Sequence, residues 1–456
     1  MGAYERDNFG DLLYVEVTRG YLASATDTTF AAPFAGDMTA ELGVDVPAAG
    51  PLLDAEHVDA IWTVGGEVGA TDIDYVYRTR FGQDAATALA AMSADDRTTT
   101  LRRELGGAVF DAPYVPRPSA HSGTLGADLI LNSVGIGSIP HLSRARRYVL
   151  EAVLREATYI SVRDPRSDAY LTRIGVPHRL APDLIHTLAL NHPRPAASGG
   201  WALIHLSDHH LREHTPDAWV RAIHAASSLR GMPLRFFLAG TAPGHDSQAA
   251  ADRLRDALLE LDHGRDIEIS TARSTWPRVD EIADSAVWIG GSLHGRIVAQ
   301  VYRVPRASLA KGKVDAYAET WDADMPSGVT PQTLDAAVTH ALGSATHGDV
   351  DDLAERAERS IRDGLDAVLA GQARSRDDRM RELLAIRAAE AADLHSWSAQ
   401  LETAYAHTKT EYVKASADRD ALRKELDAVH EEAPAEPPSS IVGKLSRAYS
   451  SVRRKD

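Results

Sequence analysis

Short apolar runs that stop at glycine or at a charged turn, each followed by a helix-compatible stretch, constrain this chain more than any other feature. Ala60–Val64 ends in Gly65-Gly66, Leu129–Val134 in Gly135-Ile136-Gly137, and Tyr159–Val162 in Arg163-Asp164. Such runs are strands buried on both faces, and the helices between them are the crossovers that a parallel sheet requires. Asn191–Gly200 gathers proline and glycine and loses all periodicity, so it reads as a linker. The pattern then restarts. Trp201–Leu206, Leu234–Ala239, Asp266–Ser270 and Ala286–Ile289 are expected strands. Helices are expected over His214–Arg230, with Trp219, Ile223 and Leu229 on its apolar face, near Ser247–Leu261 and near Val279–Asp284. With 456 residues the chain is too long for one core. The expected fold class is α/β, with two doubly wound Rossmann-like domains, 1–190 and 201–348, facing each other across a cleft and joined by the linker 191–200. A helical extension, 349–432, and a proline-rich hinge with a basic amphipathic tail, 433–456, follow.

The last expected strand runs into Gly290-Gly291-Ser292-Leu293-His294-Gly295-Arg296, where a helix opens with an imidazole and a guanidinium in its first turn. Free backbone N–H groups at the mouth of a parallel sheet suit a small dianion such as a phosphate or carboxylate. Net charge is -16, so an anionic ligand needs a local basic pocket, and a general nucleic-acid binder is disfavoured. The absence of cysteine excludes thiolate metal sites, iron–sulfur clusters and cysteine nucleophiles. Asp208-His209-His210 lacks a third spaced ligand and reads as a solvated loop, so no metal is expected. The first residues are charged where a signal peptide would be apolar, and no run approaches membrane-spanning length; a cytoplasmic location is expected.

From Asp351 to Glu432 helix formers dominate. Leu394, Leu401, Leu422 and Val429 lie at multiples of seven, Thr408 and Ala415 fill that series, and Tyr405, Tyr412 and Leu426 follow members of it by four. This broken heptad seam is expected either to pair two copies through 390–430 or to fold back on the body. Glu431–Pro438 is the hinge. Beyond it, Ile441, Val442, Leu445, Tyr449 and Val452 share a helical face, with Lys444, Arg447, Arg453, Arg454 and Lys455 beside them. Residues 440–456 are suited to an anionic membrane surface, which would make the protein peripheral at the inner face of the cell membrane; the alternative is a terminus that only solubilises.

Five local patterns occur in order: Asp7-Asn8-Phe9-Gly10-Asp11; Val64-Gly65-Gly66-Glu67; Ser161-Val162-Arg163-Asp164-Pro165-Arg166-Ser167 leading to Leu171 and Gly175; Ala181-Pro182-Asp183; and Gly291-Ser292-Leu293-His294-Gly295, followed by Lys311 and Lys313. Together they resemble the polysaccharide pyruvyltransferase family across roughly residues 7 to 320. The resemblance implies a GT-B-like pair of domains, the first on the acceptor side and the second on the donor side. It implies transfer of a pyruvyl group from phosphoenolpyruvate to two hydroxyls of a sugar as a cyclic ketal, without a cofactor. The acceptor would be a sugar, polysaccharide or lipid-linked glycan of the cell envelope. Carried onto this chain, His294, Asp11 and Asp183 are expected to be catalytic, with His294 contacting phosphate or delivering a proton and Asp11 acting as acceptor-side base. Arg163, Ser292, Arg296, Lys311 and Lys313 are expected around the donor, and Asn8, Gly10, Gly65, Gly66 and Glu67 at the acceptor or in backbone turns. Structural roles stand beside these: Arg163-Asp164 as a capping pair, Asp183 as an N-cap, and Asn8 with Gly10 as a turn. Two departures set the chain apart. Ser292 stands where the family has arginine, and Glu67 where it has a third glycine. The competing expectations are a GT-B glycosyltransferase using a nucleotide sugar, and a catalytically lapsed scaffold at the membrane.

Overall fold

The buried runs form the strands expected of them, and each closes where its glycine or charged turn stands. In the computed structural model, residues 1–432 are described apart from 24–25, 56, 108, 110–111, 195–199, 345–347 and 373–375. The hinge beyond Glu432 and the basic tail therefore lie outside the described residues. Strands β1 (Gly36–Met38) and β2 (Val44–Val46) make a small antiparallel hairpin. The first main sheet has β3 (Ala60–Val64), β4 (Asp128–Val134), β5 (Tyr159–Val162) and β6 (Arg179–Leu180), all parallel and in sequence order. The second has β7 (Ala202–His205), β8 (Leu234–Phe236), β9 (Ile267–Ile269), β10 (Val287–Gly290) and β11 (Arg306–Ser308), also parallel, in the order β11-β10-β7-β8-β9. Every residue of β4 and β10 is buried, as strands covered on both faces must be. Ile289 of β10 sits between Ile204 and Ala307, which fixes its register in the middle of the second sheet. The strand order of that sheet reverses between β7 and β10, and a crevice opens at such a switch point beyond the carboxyl ends of the strands.

The helix Phe9–Leu22 joins the two sheets. Phe9, Leu12, Leu13, Tyr14, Val15 and Val17 are all buried, so it presents apolar surface in several directions. They share one core with Leu184, Ile185 and Leu188 after the first sheet and with Leu293, Ile297 and Val298 after β10. An apolar helix all round belongs inside a protein.

The chain divides into two units, Met1–Leu384 and Ala385–Asp456. The expected single extension from 349 onward is corrected by this division. Val350–Gln372 is a helix of the first unit: Val350, Leu353, Ala354, Ala357, Ile361 and Val368 are buried, and Ser360 bonds Asn132 of β4 and Tyr159 of β5. Their spacing is that of one amphipathic face, and Gly364 lets the helix lie against Trp62 and Ile130, where a Cβ would meet ring carbon at 2.9 Å. In the second unit, residues 385–432 continue a helix that begins at Arg376 and expose Leu394, Leu401, Tyr405, Tyr412 and Leu422. A second difference lies at 208–225. The helix expected over His214–Arg230 runs from Pro216 to Ala225 with Thr215 as its cap, and a short helix, Asp208–Glu213, precedes it.

Candidate active site

The carboxyl ends of both sheets face one another, and the loops that leave them carry the motif residues. Gly65, Gly66 and Glu67 follow β3, Arg163 follows β5 and Asp183 follows β6. From the second sheet, Gly291 to His294 follow β10, and Lys311 and Lys313 follow β11. Trp321 spans the gap, its indole N–H donating to the Arg163 carbonyl at 2.8 Å.

The first motif divides its labour. Asp7 ties the N-terminal segment to the second layer by accepting from Arg278 at 2.6 and 3.1 Å and from Thr241. Asn8 caps the first helix by accepting from the Gly10 N–H at 3.3 Å, which fixes the turn that opens it. Phe9 stands edge-on to Phe237 in the core. Gly10 makes room for His294: a Cβ there would lie 1.6 Å from Nδ1 of the ring. Asp11 is left at the cleft, 3.7 Å from Arg6. The glycines after β3 serve a similar end. Gly65 and Gly66 have φ of +60° and +74°, and a Cβ on Gly65 would meet the Tyr14 ring at 2.0 Å. The Glu67 carboxylate accepts from the Ser138 hydroxyl and N–H, and it acts electrostatically on Arg163 and Lys313.

Tyr14 stands at the centre of the site. Its hydroxyl lies 2.6 Å from Asp183 Oδ2 and 2.8 Å from His294 Nε2, and Arg163 Nη1 bonds it as well. Arg163 Nη1 also donates to Asp183 Oδ2 at 2.8 Å. Asp183 Oδ1 accepts from the Ile185 N–H at 3.1 Å, so the expected N-cap and the expected ion pair are both present. Asp183 is 0% exposed and both its oxygens are engaged, so it holds Arg163 and Tyr14 in place. Burial opposes the Arg163 charge, but Tyr14 and Asp183 more than offset it and raise its pKa. Burial also pushes the Tyr14 phenol well above its ordinary range. In the same motif Asp164 caps the helix Pro165–Arg173, accepting from the N–H and hydroxyl of Ser167.

The cleft charges are unevenly paired. Arg6 is held by Glu5 at 2.9 Å and Arg163 by Asp183, but among the described residues neither Lys311 nor Lys313 has a carboxylate partner. Lys313 is an exposed residue, yet desolvation at its ammonium, with Lys311 and Arg163 near, lowers its pKa to about 8. Burial lowers Lys311 too. Asp11 shifts upward: burial raises its pKa, and Arg6, Lys313 and Arg163 only partly offset that. His294 shifts the other way, held well below the usual histidine range by burial and then by Arg163 and Lys313. Environments that push an acid up and a base down leave one group suited to carry a proton and another to accept one.

Two residues expected at the donor have structural partners. Arg296 is 0% exposed and points into the fold, where it pairs with Asp322 and donates to the carbonyls of Asp322, Met325 and Pro326 and to the Ser308 hydroxyl. Its place in the first turn of the helix suggested the cleft, but the opposite face of that turn carries it inward. Ser292 caps the helix Leu293–Val301 by accepting from the Gly295 N–H at 3.3 Å. The expected solvated loop at 208–210 is a short helix, and His210 is buried with Nδ1 2.7 Å from the Ser207 hydroxyl and its ring where a Gly291 side chain would stand. Among the described residues no three metal-ligating side chains cluster.

Sequence reasoning missed Tyr14, Tyr317 and Trp321. Tyr317 donates or accepts at His186 (2.9 Å) and accepts the Asp183 N–H at 3.2 Å. Tyr14 had a readable signal, since it follows Gly10 by four residues and so lies on the same helix face.

The sequence profile of the family described as polysaccharide pyruvyl transferase matches residues 124–310. The resemblance read from the motifs therefore holds over the stretch that carries Arg163, Asp183 and His294. A search of curated proteins finds no match. Among solved structures, the chain is similar to the UDP-GlcNAc 2-epimerase of Methanocaldococcus jannaschii in complex with UDP-GlcNAc and UDP, at 14% identity and TM-score 0.37, covering 52% of this chain and 69% of that one. It is also similar to HepE of Anabaena in complex with UDP-glucose, at 13% identity and TM-score 0.33, covering 71% of this chain and 98% of that one.

Proposed function

We propose that this chain transfers the pyruvyl group of phosphoenolpyruvate to two hydroxyls of a sugar in a cell-surface glycan, forming a cyclic ketal and releasing phosphate. The observation that carries the reading is the pair Lys311 and Lys313, without carboxylate partners among the described residues of a chain whose net charge is -16, beside Arg163 and His294. Unpaired cations in an acidic protein favour a multiply charged anion, and the family match over 124–310 supports a pyruvyl donor.

Phosphoenolpyruvate reacts as an enol ether. A proton goes to its methylene carbon, which leaves a cationic carbon stabilised by the phosphate-bearing oxygen. One sugar hydroxyl adds there and loses its proton. The second hydroxyl then displaces inorganic phosphate, and the ketal closes. Asp11 is the proposed proton carrier, because burial raises its proton affinity and the arriving anion raises it further. His294, neutral for the opposite reason, is the proposed base toward the hydroxyl. This reverses the roles expected from the motifs. Lys311, Lys313 and the free edge of Arg163 hold the carboxylate and phosphate.

Phosphorus NMR of phosphoenolpyruvate with the protein and cell-envelope glycan fractions tests the reading. Acceptor-dependent release of inorganic phosphate with a new ketal methyl signal on the glycan is expected. Sugar transfer from a nucleotide sugar, with phosphoenolpyruvate intact, would refute it. The tail 440–456 is proposed to hold the enzyme at an anionic membrane surface; binding to phosphatidylglycerol vesicles that persists after its deletion would refute that part.

A further inference from the structure

The hydrogen-bond count at the Tyr14 hydroxyl has a single solution. A phenol offers one proton and accepts through its lone pairs. Three groups bond it: Arg163 Nη1, which can only donate; Asp183 Oδ2 at 2.6 Å, which in its ion pair with Arg163 can only accept; and His294 Nε2 at 2.8 Å, which can do either. The phenol proton must go to Asp183, since otherwise two oxygens would face each other at 2.6 Å with no proton between them. His294 Nε2 must then be the donor in its own bond with Tyr14.

We infer that Tyr14 is a positioning residue that holds His294 with its proton on Nε2, which leaves the free lone pair on Nδ1. Four observations agree. Among the described residues Nδ1 bonds no protein group, and it lies against Gly10 in space that a Cβ there would fill. The rings of Tyr14 and His294 lie 5.0 Å apart and almost perpendicular, so the phenol reaches the imidazole only through Nε2. Asp183, which dictates the direction of the phenol proton, is itself fixed by Arg163 and by the Ile185 N–H. Finally, burial and the neighbouring Arg163 and Lys313 keep the ring neutral, so its two nitrogens cannot both hold protons. The placement is the logic of an oriented base: a third group selects the tautomer, and the free lone pair does the work. The protonation form stands on the geometry alone; its use against a sugar hydroxyl rests on the pyruvyl transfer proposed above.

Long-range proton–nitrogen NMR on the 15N-labelled full chain tests it, with the His294 ring signals assigned by their loss in His294→Gln. The expected result is a pyrrole-like, high-field Nε2 and a pyridine-like, low-field Nδ1. In Tyr14→Phe both signals should move toward each other as the two tautomers mix. A wild-type spectrum with the proton on Nδ1 would overturn the inference, and so would a Tyr14→Phe spectrum that keeps the wild-type shifts. Should Tyr14→Phe not fold, the wild-type spectrum decides alone. Because the readout is not turnover, a failure of pyruvyl transfer would leave this result standing, and a wrong tautomer would leave the donor untouched.

Discussion

At the scale of single residues, the site works through what its neighbours forbid. Gly10 and Gly65 forbid nothing, and their bareness lets the His294 and Tyr14 rings occupy space that any side chain would fill. Asp183 forbids the Tyr14 proton from turning toward His294. Replacing His294 by Gln should leave the melting temperature near wild type and lower turnover by about 10²–10⁴-fold, the usual effect of losing a general base. Turnover within a few-fold of wild type would remove His294 from the proton path. These roles were only half legible beforehand. Motif resemblance pointed to Arg163, Asp183 and His294, all of which meet around one hydroxyl. It could not say that Asp183 is sealed off, because burial is a property of the whole surrounding structure and leaves no mark on a four-residue pattern.

At the scale of elements, the helix that opens at Leu293 separates two residues that looked alike in sequence. Ser292 and Arg296 were both expected at the donor, yet Ser292 closes the helix end and Arg296 anchors its inner face. Ser292→Ala should therefore cost about 1 kcal/mol of stability, read as a lower denaturation midpoint, with donor affinity unchanged. Arg296→Met should cost more, about 3–5 kcal/mol, because Asp322 would lose one of its two arginine partners in a fully buried network. A variant at Arg296 that folds as wild type but loses the donor would restore it to the pocket. Helix periodicity identifies which residues share a face, and it does not say which face looks into a cleft. The same limit hid Val350–Gln372: its apolar stripe was readable, but the sheet that it covers lies more than two hundred residues earlier in the chain.

At the scale of the whole molecule, two parallel sheets place their carboxyl edges together, and one buried helix fixes them there. The alternation of strands and helices foretold both sheets, because a parallel strand buried on both faces leaves an unmistakable apolar run. It could not foretell that Phe9–Leu22 belongs to both, since a helix that is apolar in several directions names no single partner. The division after Leu384 predicts that residues 1–384 fold alone, with the cooperative melting of the full chain and its donor affinity. Aggregation of that fragment, or a lost transition, would show that the second unit is required. The exposed seam from Leu394 to Leu422 is proposed to pair two copies, so sedimentation should give a dimer for the full chain and a monomer for 1–384.

Calorimetric titration of phosphoenolpyruvate tests the central claim most directly, at pH 7 and pH 9, on the wild-type chain and on Lys313→Met. With Lys313 titrating at about 8, its ammonium is present at pH 7 and mostly lost at pH 9. Affinity should fall by about tenfold between the two conditions, and Lys313→Met should bind weakly at both. Equal binding by wild type and variant, or binding of a nucleotide sugar in the absence of any phosphoenolpyruvate binding, would contradict a pyruvyl donor held by these lysines.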